Sequence, residues 1–335
     1  MKKPENLMRK AVAKDYLRNI MYGFEKSRIL FTAVELNVFQ AIGEGAKSYD
    51  EVAEICEIDP RACDRLLNAL CAIGLMNKND GLFENHPIMK RYLIPDSPHY
   101  MANIQHVSHL WESWSYLTES VRIGTTPDLD CLNQRCENWL EAYIAFMHWR
   151  AIYLAPVVSS LITIDPFSKI LDLGCGSGAY AVEFVKTKPE ILVTAYDYPD
   201  ITDITKKYVE ATSSKNKIEI VSGNFFVDEI GSGYDIAFLS NVIHSYSIWE
   251  NMDLIKKVYY AIKPGGKIII HDYIIDDDRT SPEEAALFAL NMLVNTKAGD
   301  TYIYTDIWIM LQEAWFRDIY RIDTEKGTSL IIGTR

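Results

Sequence analysis

The segment Ile170-Leu171-Asp172-Leu173-Gly174-Cys175-Gly176-Ser177-Gly178 carries the clearest chemical signal in the sequence. An apolar run enters a glycine-rich turn, and a helix is predicted to begin near Ala179. Glycines let a backbone approach a ligand closely, and a helix N-terminus offers free N–H groups. Asp197 ends the next apolar run, 25 positions after Asp172. A carboxylate there can accept hydrogen bonds from ribose hydroxyls. His244 follows another apolar run, 236–239, after a short polar turn. That is a natural place for a side chain that moves protons near neutral pH. Position alone, however, favours a packed turn histidine over a base.

Two ligands fit the glycine loop. Gly174, Gly176 and Ala179 satisfy the G-x-G-x-x-A pattern of a dinucleotide site, which makes an NAD-dependent oxidoreductase one alternative. Three features count against it. Asp172 stands just before the turn and would repel a pyrophosphate. The loop lies mid-chain, behind a helical region. The sheet is predicted to end in an antiparallel hairpin. An acidic loop suits a cation better, and S-adenosylmethionine carries a sulfonium and an ammonium.

The elements around these residues fall into two patterns. Up to about residue 160 the chain reads as mainly helical. Ser48 is a predicted N-cap with Glu51 completing a capping box, and Asp59-Pro60 starts the next helix. Gly74 ends that helix, and Asn79-Asp80-Gly81 predicts a hairpin turn. Helix, turn, helix and hairpin is the plan of a winged helix. From residue 168, short β-rich runs alternate with helical stretches, as in a doubly wound α/β domain. Strands are expected at 169–174, 191–197, 218–222, 235–240 and 267–273. A helical region over about 283–314 follows, then strands at 318–323 and 329–332. Five residues between the last two are too few for a parallel crossover.

A chain of 335 residues suggests two domains. The net charge of -12 counts against wholesale binding of nucleic acid or anionic lipid. Residues 1–110 hold 14 basic and 14 acidic side chains, so the helix-turn-helix plan has no basic face for DNA. A ligand-sensing winged-helix regulator is therefore the weakest alternative. Cys56, Cys63, Cys71, Cys131, Cys136 and Cys175 fit no zinc or redox spacing, and free thiols in a reducing cytosol are expected. The N-terminus lacks the apolar run of a signal peptide, and no stretch reads as a membrane span of ~20 apolar residues. A cytoplasmic protein is expected.

Taken together, these motifs resemble the class I S-adenosylmethionine-dependent O-methyltransferases with an N-terminal winged-helix dimerisation domain. This is the group of caffeic acid O-methyltransferase-like enzymes and their bacterial small-molecule relatives. The resemblance runs from about residue 28 to the end. It covers the 33–39 helix, Trp114-x-x-Leu117, Asp172–Gly178, Gly223-Asn224-Phe225-Phe226, Ser240-Asn241-Val242-Ile243-His244, Lys263-Pro264-Gly265-Gly266-Lys267 and Ala314-Trp315-Phe316.

The resemblance implies a Rossmann-like seven-stranded catalytic domain over 166–335. It implies a helical linker over 101–165 lining the acceptor pocket, and a helical winged-helix dimerisation domain over 1–100. Asp172, Gly174, Gly176, Gly178, Asp197, Tyr198, Asn224, Phe225, Ser240 and Asn241 would hold S-adenosylmethionine, with no metal. His244 would be the general base and Asp272 the carboxylate that orients it. Phe146, Met147, Asn291, Met292 and Asn295 match regions lining the acceptor pocket. The implied protein is a homodimeric enzyme that methylates a hydroxyl of a small aromatic or conjugated molecule; some relatives keep the cofactor site without methylating.

The sequence departs from the family pattern at identifiable points. His244-Ser245-Tyr246-Ser247 replaces His-Asp-Trp-Ser. The family's second carboxylate beside the base aligns near Thr301, one residue from Asp300, and Trp315 replaces a glycine. His106 and His109 are spaced for a metal, but helix packing or pocket lining is the preferred reading for them and His148. Asp276-Asp277-Asp278 reads as a solvated loop.

Overall fold

The structure is a computed structural model that describes residues 10–94, 97, 99–101, 103–127 and 139–335. Cys131 and Cys136 lie outside the described residues. The chain divides into two compact units, Met1–Ser108 and His109–Arg335.

In the first unit, helices Tyr49–Ile55 and Pro60–Ala72 precede strands β2 (Met76–Asn79) and β3 (Leu82–Asn85). A two-residue strand β1 (Ala46–Lys47) pairs with β3, giving the antiparallel order β1-β3-β2. The expected caps form. Ser48 and Glu51 make a reciprocal capping box, and Asp59 accepts the Ala62 N–H at 2.8 Å. The hairpin turns at Asp80 and Gly81, both at positive φ, as a two-residue type I′ turn requires. Val38, Phe39, Val52, Leu67, Leu70 and Phe83 form the core. Buried Asn85 donates to the carbonyls of Phe39 and Gly43, tying the hairpin to helix Val38–Ile42. Helix Lys10–Glu35 leaves Leu17, Ile20, Met21 and Phe24 more than half exposed.

The second unit holds a seven-stranded sheet in the order β6-β5-β4-β7-β8-β10-β9. Its strands are β4 (Lys169–Leu173), β5 (Leu192–Asp197), β6 (Ile218–Ser222), β7 (Tyr234–Ser240), β8 (Ile262–Asp272), β9 (Arg317–Asp323) and β10 (Ser329–Thr334). The first five run parallel, and β10 pairs antiparallel with both β8 and β9. The predicted terminal hairpin is present, within one or two residues of its expected bounds. Strand order reverses at β4, so β4, β5 and β7 bring their C-terminal ends to one crevice, where open α/β sheets bind ligands.

Two details differ from expectation. The 283–314 region is two helices, Glu283–Asn295 and Tyr304–Glu313. A Cβ on Gly299, in the break, would stand 2.3 Å from the His244 carbonyl, and the Asp300 N–H donates to that carbonyl at 3.0 Å. The break therefore supports the His244 turn, which a continuous helix could not do. Helix Trp139–Leu161 is also long and apolar enough to cross a membrane by length and composition, contrary to the sequence expectation. Its Ala151, Leu154, Ala155 and Val158 join the core with Ile170 of β4 and Phe184 of helix Ala179–Thr187.

Candidate active site

The glycine loop closes over the end of β4 in a shape that needs its glycines. Gly174, Gly176 and Gly178 all have positive φ, from 54° to 77°. A Cβ at Gly174 would lie 2.5 Å from Val242 Cγ2, and one at Gly178 would lie 2.9 Å from Val209 Cγ2. A Cβ at Gly176 meets nothing within 4 Å, because this residue faces a cavity. Three contacts fix the loop. The Gly176 N–H donates to Asp197 Oδ2 at 2.8 Å, Thr205 Oγ1 donates to the Gly176 carbonyl at 2.6 Å, and Ser177 Oγ lies 2.9 Å from His148 Nδ1.

The cavity gathers Gly174, Gly176, Asp197, Tyr198, Phe225, Ser240, Asn241 and Met147 from the sequence selection. Asp197 is buried, and its other oxygen accepts the Tyr198 N–H at 2.8 Å. Burial raises its pKa to about 6 against these two hydrogen bonds. Asp172 is buried under the loop instead of on the wall, with Oδ2 unpartnered. Burial and then the nearby Asp197 raise it to about 7. Asn224 is turned into its own bend, where Oδ1 accepts the Phe226 N–H at 3.0 Å, and the wall there is Phe225.

His244 sits in a single 3-10 turn, Ile243–Ser245, between the lining residues Val242 and Ser245. It is 6% exposed, and its Nδ1 lies 2.7 Å from Asp272 Oδ1 at the end of β8. A carboxylate only accepts, so Nδ1 carries a proton, and in the neutral ring the lone pair is then on Nε2. Asp272 Oδ1 also accepts the Tyr273 N–H at 2.8 Å, and Oδ2 is buried without a partner. Asp300 does not approach as a second acid. Its carboxylate accepts the Thr301 N–H and pairs with Arg279 at 3.5 Å.

The acceptor-side residues divide. Met147 lines the cavity. Phe146 lies 5.8 Å from the Arg150 guanidinium. Asn291 accepts the Trp114 indole N–H at 3.0 Å and the Asn295 amide at 3.1 Å, and Met292 is buried. The same helix reaches the base through Phe288, whose ring stands perpendicular to His244 at 4.8 Å.

Tyr143, Arg150, Tyr180 and Tyr246 line the cavity as well, and no motif singles out the first three. Arg150 faces Tyr273 at 5.0 Å. Tyr143 and Arg150 lie on helix Trp139–Leu161, whose nearly uniform apolar character gives no local sign of which residue turns inward. Only the Tyr246 departure marked its site in advance: its hydroxyl lies 3.4 Å from that of Tyr198.

The donor set fits S-adenosylmethionine. Asp197 suits a ribose, Tyr198, Phe225 and Tyr246 a planar base, and Arg150 with the unpartnered Asn241 Oδ1 a zwitterionic end. No group of three or more His, Cys, Asp and Glu side chains gathers among the described residues. Asp276 accepts the Ser281 hydroxyl and Asp278 accepts from Thr280, so that acidic run is satisfied locally.

Comparison with known proteins agrees with this geometry. An O-methyltransferase domain family matches residues 136–317, and an O-methyltransferase dimerisation domain matches residues 19–94. A 3-hydroxy-5-methyl-1-naphthoate 3-O-methyltransferase of Streptomyces sahachiroi is 29% identical over 315 residues, covering 90% of this chain and 88% of that protein. Acetylserotonin O-methyltransferase of Gallus gallus is 28% identical over 331 residues, covering 93% and 95%. The crystal structure of human N-acetylserotonin methyltransferase in complex with SAM superposes with a TM-score of 0.84. It is 24% identical and covers 100% of this chain and 99% of that one.

Proposed function

The chain belongs to the O-methyltransferase family, and from that premise we propose that it methylates a hydroxyl of a small aromatic or conjugated molecule with His244 as general base. The observation that carries the proposal is the 2.7 Å contact between His244 Nδ1 and Asp272 beside the glycine-loop cavity. S-adenosylmethionine, when bound, supplies the electrophilic methyl group. Gly174, Gly176, Asp197, Tyr198, Phe225, Ser240 and Asn241 would hold it.

A phenol with a pKa of about 10 is a poor nucleophile at neutral pH. Asp272 orients the imidazole and selects the tautomer of the neutral ring whose Nε2 can take the hydroxyl proton as the oxygen attacks, and it then stabilises the imidazolium that forms. Burial of His244, with the Phe288 ring packed against it, limits water at that transfer. The aromatic acceptor class rests on the curated relatives, whose names include a naphthoate and acetylserotonin. Phe288 and Tyr273, 4.5 Å apart beside the base, suit a flat acceptor.

The dimerisation-domain match and the exposed apolar face of helix Lys10–Glu35 support a homodimer built on a winged-helix-like first unit. The acidic charge balance counts against nucleic-acid and anionic-membrane partners, and cysteine spacings that fit no zinc or redox motif support a cytoplasmic enzyme. The test is calorimetric binding of S-adenosylmethionine, then methyl transfer to a panel of hydroxylated aromatics. No binding of the cofactor sinks the reading. His244→Ala should abolish turnover with cofactor affinity retained, and equal turnover would remove His244 as the base.

A further inference from the structure

A buried polar chain runs behind the cavity wall, and the donor and acceptor roles along it are read outward from the one contact of fixed direction. The Thr324 hydroxyl donates to the Thr328 carbonyl at 2.8 Å, which uses its one proton. Thr324 Oγ1 also lies 2.9 Å from Thr328 Oγ1, so that contact takes its proton from Thr328. Thr328 Oγ1 must then accept from its next neighbour, His271 Nε2, at 2.8 Å. His271 is fully buried on β8, and burial lowers its pKa to about 4, so the ring is neutral with a single proton. That proton is on Nε2, and Nδ1 is an acceptor. Ser240 Oγ stands 2.9 Å from Nδ1, with the Tyr180 hydroxyl more distant at 3.3 Å. Ser240 therefore turns its proton inward.

The consequence appears at the cavity. With its proton committed, Ser240 can only accept from Asn241, whose Nδ2 is 2.9 Å away. That leaves Asn241 Oδ1, buried and unpartnered in the protein, as an acceptor. Ser240 and Asn241 both line the cavity, so the Ser240 hydroxyl has no proton to offer there and Asn241 Oδ1 stands as an acceptor beside the second Nδ2 hydrogen. Arg150, on the same cavity, offers donors only. A cation beside a pair of acceptors complements an α-amino-acid zwitterion.

We propose that His271 is a positioning residue whose fixed tautomer makes Ser240 and Asn241 an acceptor pair for the ammonium of the cofactor's amino-acid end. The proposal rests on the cofactor reading above and adds how that end is told from an uncharged one.

Calorimetry with S-adenosylhomocysteine and with adenosine, which lacks the amino-acid end, tests it on the full chain. His271→Phe should bind S-adenosylhomocysteine about tenfold more weakly and adenosine as the wild type does. His271→Asn, with Oδ1 able to stand in for Nδ1, should recover most of the loss. Unchanged S-adenosylhomocysteine affinity, or an equal loss for both ligands, overturns the proposal. Ser240→Ala removes the acceptor itself and should show the same split, which keeps the test available if His271→Phe does not fold. Nitrogen NMR of the wild-type imidazole should show a bare Nδ1, and a protonated Nδ1 also overturns it. A wild-type protein that binds neither ligand would instead sink the cofactor reading, and the ammonium assignment with it.

Discussion

His244 and Asp272 are joined by a buried hydrogen bond of 2.7 Å, and among the described residues no second carboxylate shares the imidazole, Asp300 being paired with Arg279. All orientation of the base through Nδ1 therefore falls on Asp272. Asp272→Asn should lower kcat by about a hundredfold or more, because an amide can donate to Nδ1 and favour the wrong tautomer. Cofactor affinity should stay near the wild-type value, since Asp272 is not on the cavity wall. Single-turnover rates with parallel calorimetry check both halves. A change in cofactor affinity alone would assign Asp272 a structural role.

The two buried acids near the loop give a pH signature. Asp172 and Asp197 are raised to about 7 and about 6, well above an unfolded carboxylate near 4. Between those values the folded chain keeps protons that the unfolded chain has lost. Stability of the ligand-free protein should therefore fall as pH rises from about 4 to about 7. Asp172→Asn should flatten the upper part of that slope. The same ionisation should favour a cation, so affinity for S-adenosylmethionine should rise through this window. Melting curves and calorimetry at several pH values are the measurements, and a melting temperature that rises across the window would contradict the assignment.

The loop glycines should separate stability from binding. Gly174→Ala drives a Cβ into Val242 at 2.5 Å and strains a backbone at φ +77°, so a loss of about 2–3 kcal/mol is expected. Gly176→Ala has open space and costs about 1 kcal/mol for its backbone alone. Its methyl group would enter the cavity, so its cofactor affinity should drop by about tenfold or more. Denaturant unfolding and calorimetry on both variants would show whether the two effects part in this way.

Much of this was legible in the chain, for local reasons. Ser48, Asp59 and the Asp80-Gly81 turn act within four residues, and β4, β5 and β7 announce themselves as apolar runs. Asp197 and His244 could be selected because each follows such a strand. Arg150 could not, because its role depends on which face of an apolar helix turns to the cavity. His271 was hidden for another reason. It lies inside a strand, and its partners Ser240 and Thr328 come from β7 and the turn before β10. Only the sheet order brings them together. The 296–303 break was missed because its cause is the distant His244 carbonyl.

Trp315 offers a test of how a departure is tolerated. It replaces a family glycine, and its φ of +66° is a conformation that glycine adopts without strain and tryptophan does not. The residue is 52% exposed, and its ring meets Tyr259 at 5.6 Å and Tyr260 at 6.1 Å, edge to face. Those contacts contribute about 0.5–1.5 kcal/mol each and offset a strain of about 1–2 kcal/mol. Trp315→Gly loses both the contacts and the strain, so its stability should stay within about 1 kcal/mol of the parent. Trp315→Ala loses the contacts and keeps the strain, and should unfold at clearly lower denaturant than Trp315→Gly. Equal midpoints for the two variants would mean that the positive φ carries no strain and that the aromatic contacts alone hold this turn.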